Sequence, residues 1–341
     1  MWLAGAEYVP LYEAKMFHHF DHRWATYEGR DSRLLDSAEK SQSACSVFGR
    51  YWVEQQHVSQ ETRDLPDVGG YLAVRRFGRS TDERTIIAAI TPPVAFSDGA
   101  TIVAQRARKP GEGDALLCAY LSSLVLDYVA RQKVGAVMIN QFILAQLPVL
   151  APTAFDAPCP WSRGVGTVGE WLLKRVLELT YTSWDLEAFA GRCGWSGPPF
   201  QWNEDRRFVL RCEVEAAFFH LVLSGSQVSG WQHADGEGAD QVNRLRAQVR
   251  TPRDAVVHIL ESFPILRQRE EARHGGFRTR TLVLDIYDEM SGAIRDGRVL
   301  SSRVSPPPGP PESPLSSGRD GRPSSVGWPS HVHWPQRPEG E

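Results

Sequence analysis

His18, His19, Asp21 and His22 are the densest group of metal-ligating and proton-transferring side chains in the chain. A spacing of i and i+4 would put His18 and His22 on one helical face, where two imidazoles can share a cation. No flanking ligand completes such a set, and Lys15 and Arg23 add positive charge on either side. A structural or phosphate-contacting role therefore fits this group better than a metal. Asp82 and Glu83 are the obvious carboxylate pair for a nuclease, but neighbours on a strand point to opposite faces and do not converge on Mg²⁺. Adenine methylation needs an Asn/Asp-Pro-Pro-aromatic motif to accept hydrogen bonds from the target amine. Thr91–Val94 lacks the amide and the aromatic, and Gly197–Phe200 begins with a residue that has no side chain. No Gly-x-Gly follows a clear strand and opens a helix, as a nucleotide-binding turn would.

What remains is basic. Arg75, Arg76, Arg79 and Arg84 form one run, and Arg106, Arg108 and Lys109 form another; either run alone also reads as a solvated loop surface. Arg131, Lys133 and Asn140 flank a helix-to-loop junction. Arg makes two-bond contacts with guanine edges and phosphates, while Asn can read adenine. The formal net charge of −3 argues against bulk coating of nucleic acid, but not against a local basic face that reads a site.

The surrounding elements follow from pattern. Tyr71–Val74 and the β-branched run Thr85–Ile90, ended by Pro92 and Pro93, predict strands. Arg30–Gln56 is polar and predicts a loop. Asp114–Lys133 predicts one amphipathic helix, with Gly135 beyond its end. Pro152, Pro158 and Pro160 mark a boundary near residue 150. Beyond it, helices are expected over Trp171–Ala190, over Glu204–Leu223 with Asn203 as N-cap, around Pro252–Glu261, and around Thr279–Ile294. The Gly/Ser-rich segment Ser224–Gln241 predicts a surface loop, and the Pro-rich stretch from Ser305 a disordered tail. The expected fold is α+β: a mixed domain over 1–150, a helical region over 151–304 and a tail over 305–341. At 341 residues the chain is long enough for two domains. Five scattered cysteines without a C-x-x-C pair, no apolar run of membrane-spanning length and no signal sequence point to a cytoplasmic protein.

Six stretches share the order of a known family. They are YEAKMFHHFDHRWATYEG (Tyr12–Gly29), RSTDERTIIAAITP (Arg79–Pro92), LSSLVLDYVARQKVGAVMINQFILAQLPVLAP (Leu121–Pro152), RVLELTYTSWDLEAFA (Arg175–Ala190), PPFQWNEDRRFVLRCEVEAAFFHL (Pro198–Leu221) and ILESFPILRQREEARHGGFRTRTLVLDIYDEM (Ile259–Met290). The chain resembles the target-recognition and C-terminal region of large restriction-modification and phage-defence adenine-specific DNA methyltransferases. The resemblance implies sequence-specific recognition of double-stranded DNA. It also implies that S-adenosylmethionine and the catalytic motif belong to a domain before Tyr12, so the chain reads as the specificity portion of a split or truncated methyltransferase, with a separate methyltransferase chain as candidate partner. On that reading no catalytic or metal residue is expected here. The DNA-contacting candidates are Lys15, His18, Arg23, Arg75, Arg76, Arg79, Arg84, Arg131, Lys133 and Asn140. Ala14 stands where the family usually has Gly. The competing expectations are an autonomous nuclease or methyltransferase with an unrecognised active site, and an inert fragment.

Overall fold

A computed structural model describes residues 2–3, 6–105, 109–135, 137–223, 244, 247 and 249–310. The fold is α+β, with small sheets preceding a helical half. Strand β2 (Ala6–Tyr12) pairs antiparallel with β1 (Trp2–Leu3) and β5 (Trp52–Glu54), and parallel with β8 (Ala95–Phe96). A hairpin, β3 (Ala25–Glu28) and β4 (Asp31–Leu34), turns at Gly29, whose φ of 65° a side chain would resist. The polar stretch 30–56, expected as a loop, therefore holds β4, the single turn α1 (Ser37–Lys40), β5 and the start of α2 (Gln55–Glu61). β4 is exposed throughout and β5 spans only three half-buried residues, so neither leaves a period to read.

The third sheet positions the candidate site. Its order is β7 (Ala88–Thr91), β6 (Tyr71–Arg75), β9 (Ala100–Val103), all antiparallel. Side chains alternate across β6 as the pleat requires. Leu72 and Val74 join the main core with Ile86, Ala88 and Ile90, while Ala73 and Ala89 face a second cluster containing Tyr12, Met16 and Phe17. With both faces covered, β6 and β7 read as unbroken apolar runs.

Two of the expected long helices are broken. The stretch 114–133 forms α3 (Glu112–Leu121) and α4 (Leu124–Lys133), bent by 60°. Ser123 takes extended backbone and its Oγ accepts from the Leu126 amide at 3.3 Å, so a hydroxyl inside the apolar period acts as a new N-cap. Likewise α7 (Val168–Thr180) stops at Tyr181, a short turn covers Trp184–Leu186, and α8 (Glu187–Arg192) follows. α9 (Glu204–Leu223) forms as expected, with Asn203 Oδ1 accepting from the Arg206 amide at 2.9 Å. So does the helix Pro252–Glu261, which Thr251 caps. A helix over Pro264–His274 was not anticipated; it buries no residue, and its charged sequence has little apolar period. The last described helix covers Arg278–Asp296.

The apolar core is continuous across the proline-marked boundary: Phe155, Cys159 and Trp161 lie in the same cluster as Leu72, Leu124, Phe218 and Ile286. At the far end, Ser305–Pro310 departs from the expected disordered tail. Pro308 and Gly309 are buried, the Gly309 amide donates to Glu178 Oε2 at 3.0 Å, and a Cβ on Gly309 would come within 2.7 Å of Lys174 Cβ. The expectations for Ser224–Gln241, for Arg106 and Arg108, and for 311–341 lie outside the described residues.

Candidate nucleic-acid interface

The histidine-rich block is an internal latch. His18 and His22 do not share a helix; their segment is a tight turn in which His18 and Asp21 exchange backbone hydrogen bonds. Arg23 has 0% exposure and donates to the carbonyls of Lys40, Gln42, Cys45 and Thr182 and to the Thr182 hydroxyl. Lys40 Nζ lies 2.8 Å from Asp21 Oδ2, and Arg207 donates to the carbonyls of Leu179 and Phe20. The network ties the N-terminal sheets to the segment between α7 and α8, which explains why the helix breaks there. Burial, reinforced by the nearby Arg75, pushes the His18 imidazole down to about 3, so it is neutral at ordinary pH. Of the candidates in this region, Lys15 is on the surface, over the Tyr27 ring and 3.8 Å from Glu13.

The other candidates converge. Residues 75–84 leave β6, and residues 131–140 leave α4; the two loops are laced together. Gly78 N donates to Val137 O at 3.0 Å, Ile139 N donates to Arg76 O at 2.7 Å, and Phe77 pairs with Met138 in a β-bridge. Arg131 donates to the carbonyls of Ser80, Asp82 and Glu83 and lies over the Phe263 ring. Buried Asp127 joins the loops from beneath: Arg84 Nε at 2.8 Å, Arg131 Nε at 3.3 Å and the Thr85 amide at 3.0 Å all donate to it. Arg75 Nε donates to the Phe17 carbonyl at 2.9 Å. The guanidinium groups of Arg23, Arg75, Arg84 and Arg131 are thus engaged within the fold.

On the outside of this scaffold, Arg76 donates to the Asp98 carbonyl at 2.8 Å and ion-pairs with no carboxylate among the described residues. The exposed side chains of Arg79 and Lys133 have no hydrogen bond or ion pair among the described residues. Asn140 Oδ1 caps the short helix α5 (Gln141–Ala145) through the Ile143 amide at 2.9 Å, leaving its amide NH₂ as the free end. Sequence reasoning did not single out the exposed apolar residues of the same two segments, Phe77, Val137, Met138 and Phe142. A polarity change in loops that carry bulky apolar residues was the available signal.

Other chemistries find no support among the described residues. Ser183, His22 and Asp185 have the residue types of a nucleophilic triad, but both partners bond the same His22 nitrogen, Nε2, at 3.0 and 2.9 Å. A triad needs the carboxylate on Nδ1 and the hydroxyl on Nε2. Asp82 Oδ2 accepts from the Arg79 amide and Glu83 pairs with Arg269, and no group of three His, Cys or carboxylate residues is placed to hold a metal. One Gly-x-Gly, Gly111–Gly113, opens α3, but β9 ends at Val103 and seven residues intervene, so it is not the strand-to-helix turn of a nucleotide site. A Cβ at Gly111 would meet Arg192 Cβ at 2.6 Å, Gly111 and Gly113 are buried, and the Asp114 carboxylate sits on the Gly111 amide at 3.3 Å. An anionic or nucleotide cofactor does not fit there. Gly197–Phe200 is likewise committed: Tyr181 donates to the Gly197 carbonyl and Trp195 to the Pro198 carbonyl. No described helix is by itself long and apolar enough to cross a membrane. No protein-family model, curated protein or solved structure matches the chain.

Proposed function

We propose that this chain recognises double-stranded DNA through the face built by loops 75–84 and 131–142, as the specificity portion of a restriction-modification adenine methyltransferase system. One observation carries the reading. Two basic segments singled out separately in the sequence are laced by Gly78–Val137 and Ile139–Arg76 hydrogen bonds into one platform, and it leaves Arg76, Arg79 and Lys133 without carboxylate partners among the described residues. Unpaired cations carried on a backbone-bonded base suit phosphate contact, since their charge is not already neutralised.

The roles differ within the platform. Arg79 and Lys133 serve as phosphate contacts. Arg76, oriented by the Asp98 carbonyl, is the candidate base reader. Asn140 cannot make the two-bond pairing with adenine while its carbonyl oxygen caps α5; its NH₂ is free to donate to a base or phosphate acceptor. Asp127, Arg84 and Arg131 hold the loops. The chain binds no S-adenosylmethionine and transfers no methyl group by itself; a methyltransferase chain or domain supplies that step.

Fluorescence anisotropy with a random-sequence duplex pool tests the reading, followed by sequencing of the bound fraction. The expected result is salt-sensitive binding with enrichment of one motif, and no label incorporated from tritiated S-adenosylmethionine. Absence of duplex binding at low salt, both alone and with a cognate methyltransferase, would overturn it.

A further inference from the structure

The platform carries an apolar crest that its own fold leaves uncovered. Phe77 is 45% exposed, Met138 41% and Phe142 73%, whereas Phe155, Phe189, Phe218, Phe219 and Phe263 are buried in the main core. Phe77 and Met138 face each other across the β-bridge, and Phe142 lies in the first turn of α5, the helix that opens three residues after Met138. The backbone beneath is closely packed at two points. Gly78 is packed so closely that a Cβ would lie 2.1 Å from the Thr85 carbonyl oxygen, and Ile139, between Met138 and Asn140, is anchored in the main core. Arg76, Arg79 and Lys133 occur in the same two segments and lack carboxylate partners among the described residues.

An apolar crest bordered by cations is the wrong surface for water and the right one for a partner that presents negative charge around flat apolar faces. Nucleic acid has that chemistry: phosphates outside, base faces within. Proteins that kink a duplex do so with Phe or Met wedges driven between base steps while nearby cations hold the backbone. From this geometry we infer that the Phe77–Met138–Phe142 crest enters between base pairs of the bound duplex, so that the chain reads deformability as well as base edges. The inference rests on the DNA-recognition reading above and adds a specific distortion to it.

Unstacking has a cost that a damaged step has already met. Wild-type full-length chain should therefore bind a duplex with one central abasic site about tenfold more tightly than the intact duplex, at equal salt. In Phe77→Ala/Phe142→Ala that preference should fall to within about twofold, with the salt dependence of intact-duplex binding unchanged, because the cations remain. Phe142→Trp, which restores a stacking surface, should keep the preference. Both positions are exposed, and an unaltered melting temperature confirms that the fold is kept. Equal binding of abasic and intact duplexes by wild type, or a preference that survives the double substitution, overturns the wedge while leaving DNA recognition standing. Failure to bind any duplex overturns both. A crest that instead captures a purified methyltransferase partner, with loss on Phe142→Ala and no effect on abasic preference, assigns the surface to protein and also overturns the wedge.

Discussion

The amide of Gly78 donates to the carbonyl of Val137 at 3.0 Å, and through that bond the loop after β6 and the loop after α4 become one platform. Only glycine allows it: a Cβ at position 78 would lie 2.1 Å from the Thr85 carbonyl oxygen and 3.1 Å from Ile139. The obstruction is backbone, so no rotamer change relieves it. Gly78→Ala should cost about 1–3 kcal/mol in urea unfolding and weaken DNA binding by displacing Arg76 and Arg79. Unchanged stability and affinity would show that the two loops do not depend on this contact.

Arg23 is the keystone of the latch beneath. Its fully buried guanidinium supplies four carbonyls and one hydroxyl, drawn from α1, from the segment after it and from the stretch between α7 and α8. Removing it strands those acceptors out of reach of water. Arg23→Met should destabilise by more than about 3 kcal/mol, and Arg23→Lys nearly as much, because a compact ammonium cannot reproduce a planar array of five donors. Chemical denaturation measures both; a Lys variant within about 1 kcal/mol of wild type would contradict this account of the network.

How far the sequence anticipated this differs by element. The buried strands β6 and β7, helix α9 and the helix at Pro252 were legible, because apolar runs, Asn203 and Pro252 are local signals. The breaks at Ser123 and Tyr181 were not: Ser123 is a cap hidden inside an unbroken apolar period, with Glu215 Oε2 also accepting from the Leu124 amide, and the stop at Tyr181 lies where Arg23, distant in sequence, donates to Thr182. The basic runs were visible as candidates, but composition cannot separate an arginine spent on carbonyls, such as Arg131, from one left free, such as Arg79. That division depends on Asp127 and on which carbonyls point inward, and these are tertiary facts.

Acidity should act through Glu215. Burial raises its carboxyl from 4.5 to about 7, against the pull of Arg84. A carboxyl held up in the fold favours the folded state fully below its ordinary value, and that contribution disappears as pH rises through 7. Glu215→Gln keeps an acceptor for the Leu124 amide and does not titrate. Relative to wild type, the variant should gain stability between pH 4.5 and pH 7.5, on the order of 3 kcal/mol at most. Asp21 behaves oppositely. Burial would raise its carboxyl, but Lys40 and Arg207 together outweigh that and hold it below 3.8, so its contribution is lost only as pH falls below that value. Parallel melting curves of wild type and Glu215→Gln across pH 4.5–7.5 would contradict the assignment.

The segment Ser305–Pro310 should matter to stability. Gly309 donates to Glu178 and packs against Lys174 on α7. A chain ending at Val304 should be less stable than one ending at Pro310 by about 1–2 kcal/mol, from one hydrogen bond to a charged, otherwise buried carboxylate and the lost packing. Equal melting temperatures of the two truncations would show that these contacts contribute nothing.

The central claim is that the platform bearing Arg76, Arg79 and Lys133 holds DNA, and salt titration tests it most directly. Each phosphate neutralised releases condensed counterions, so log K falls with log salt at about −0.9 per contact. Lys133→Ala and Arg79→Ala should each weaken binding to every duplex alike and make the slope shallower by about one. Arg76→Ala should instead cost roughly 1–3 kcal/mol and relax preference at a single position. Lys15→Ala, a surface cation in the N-terminal latch region with an ion-pair partner in Glu13, is the matched control and should leave the slope unchanged. If the assembled complex shows the same slope and affinity with all three platform residues replaced, DNA does not bind this face.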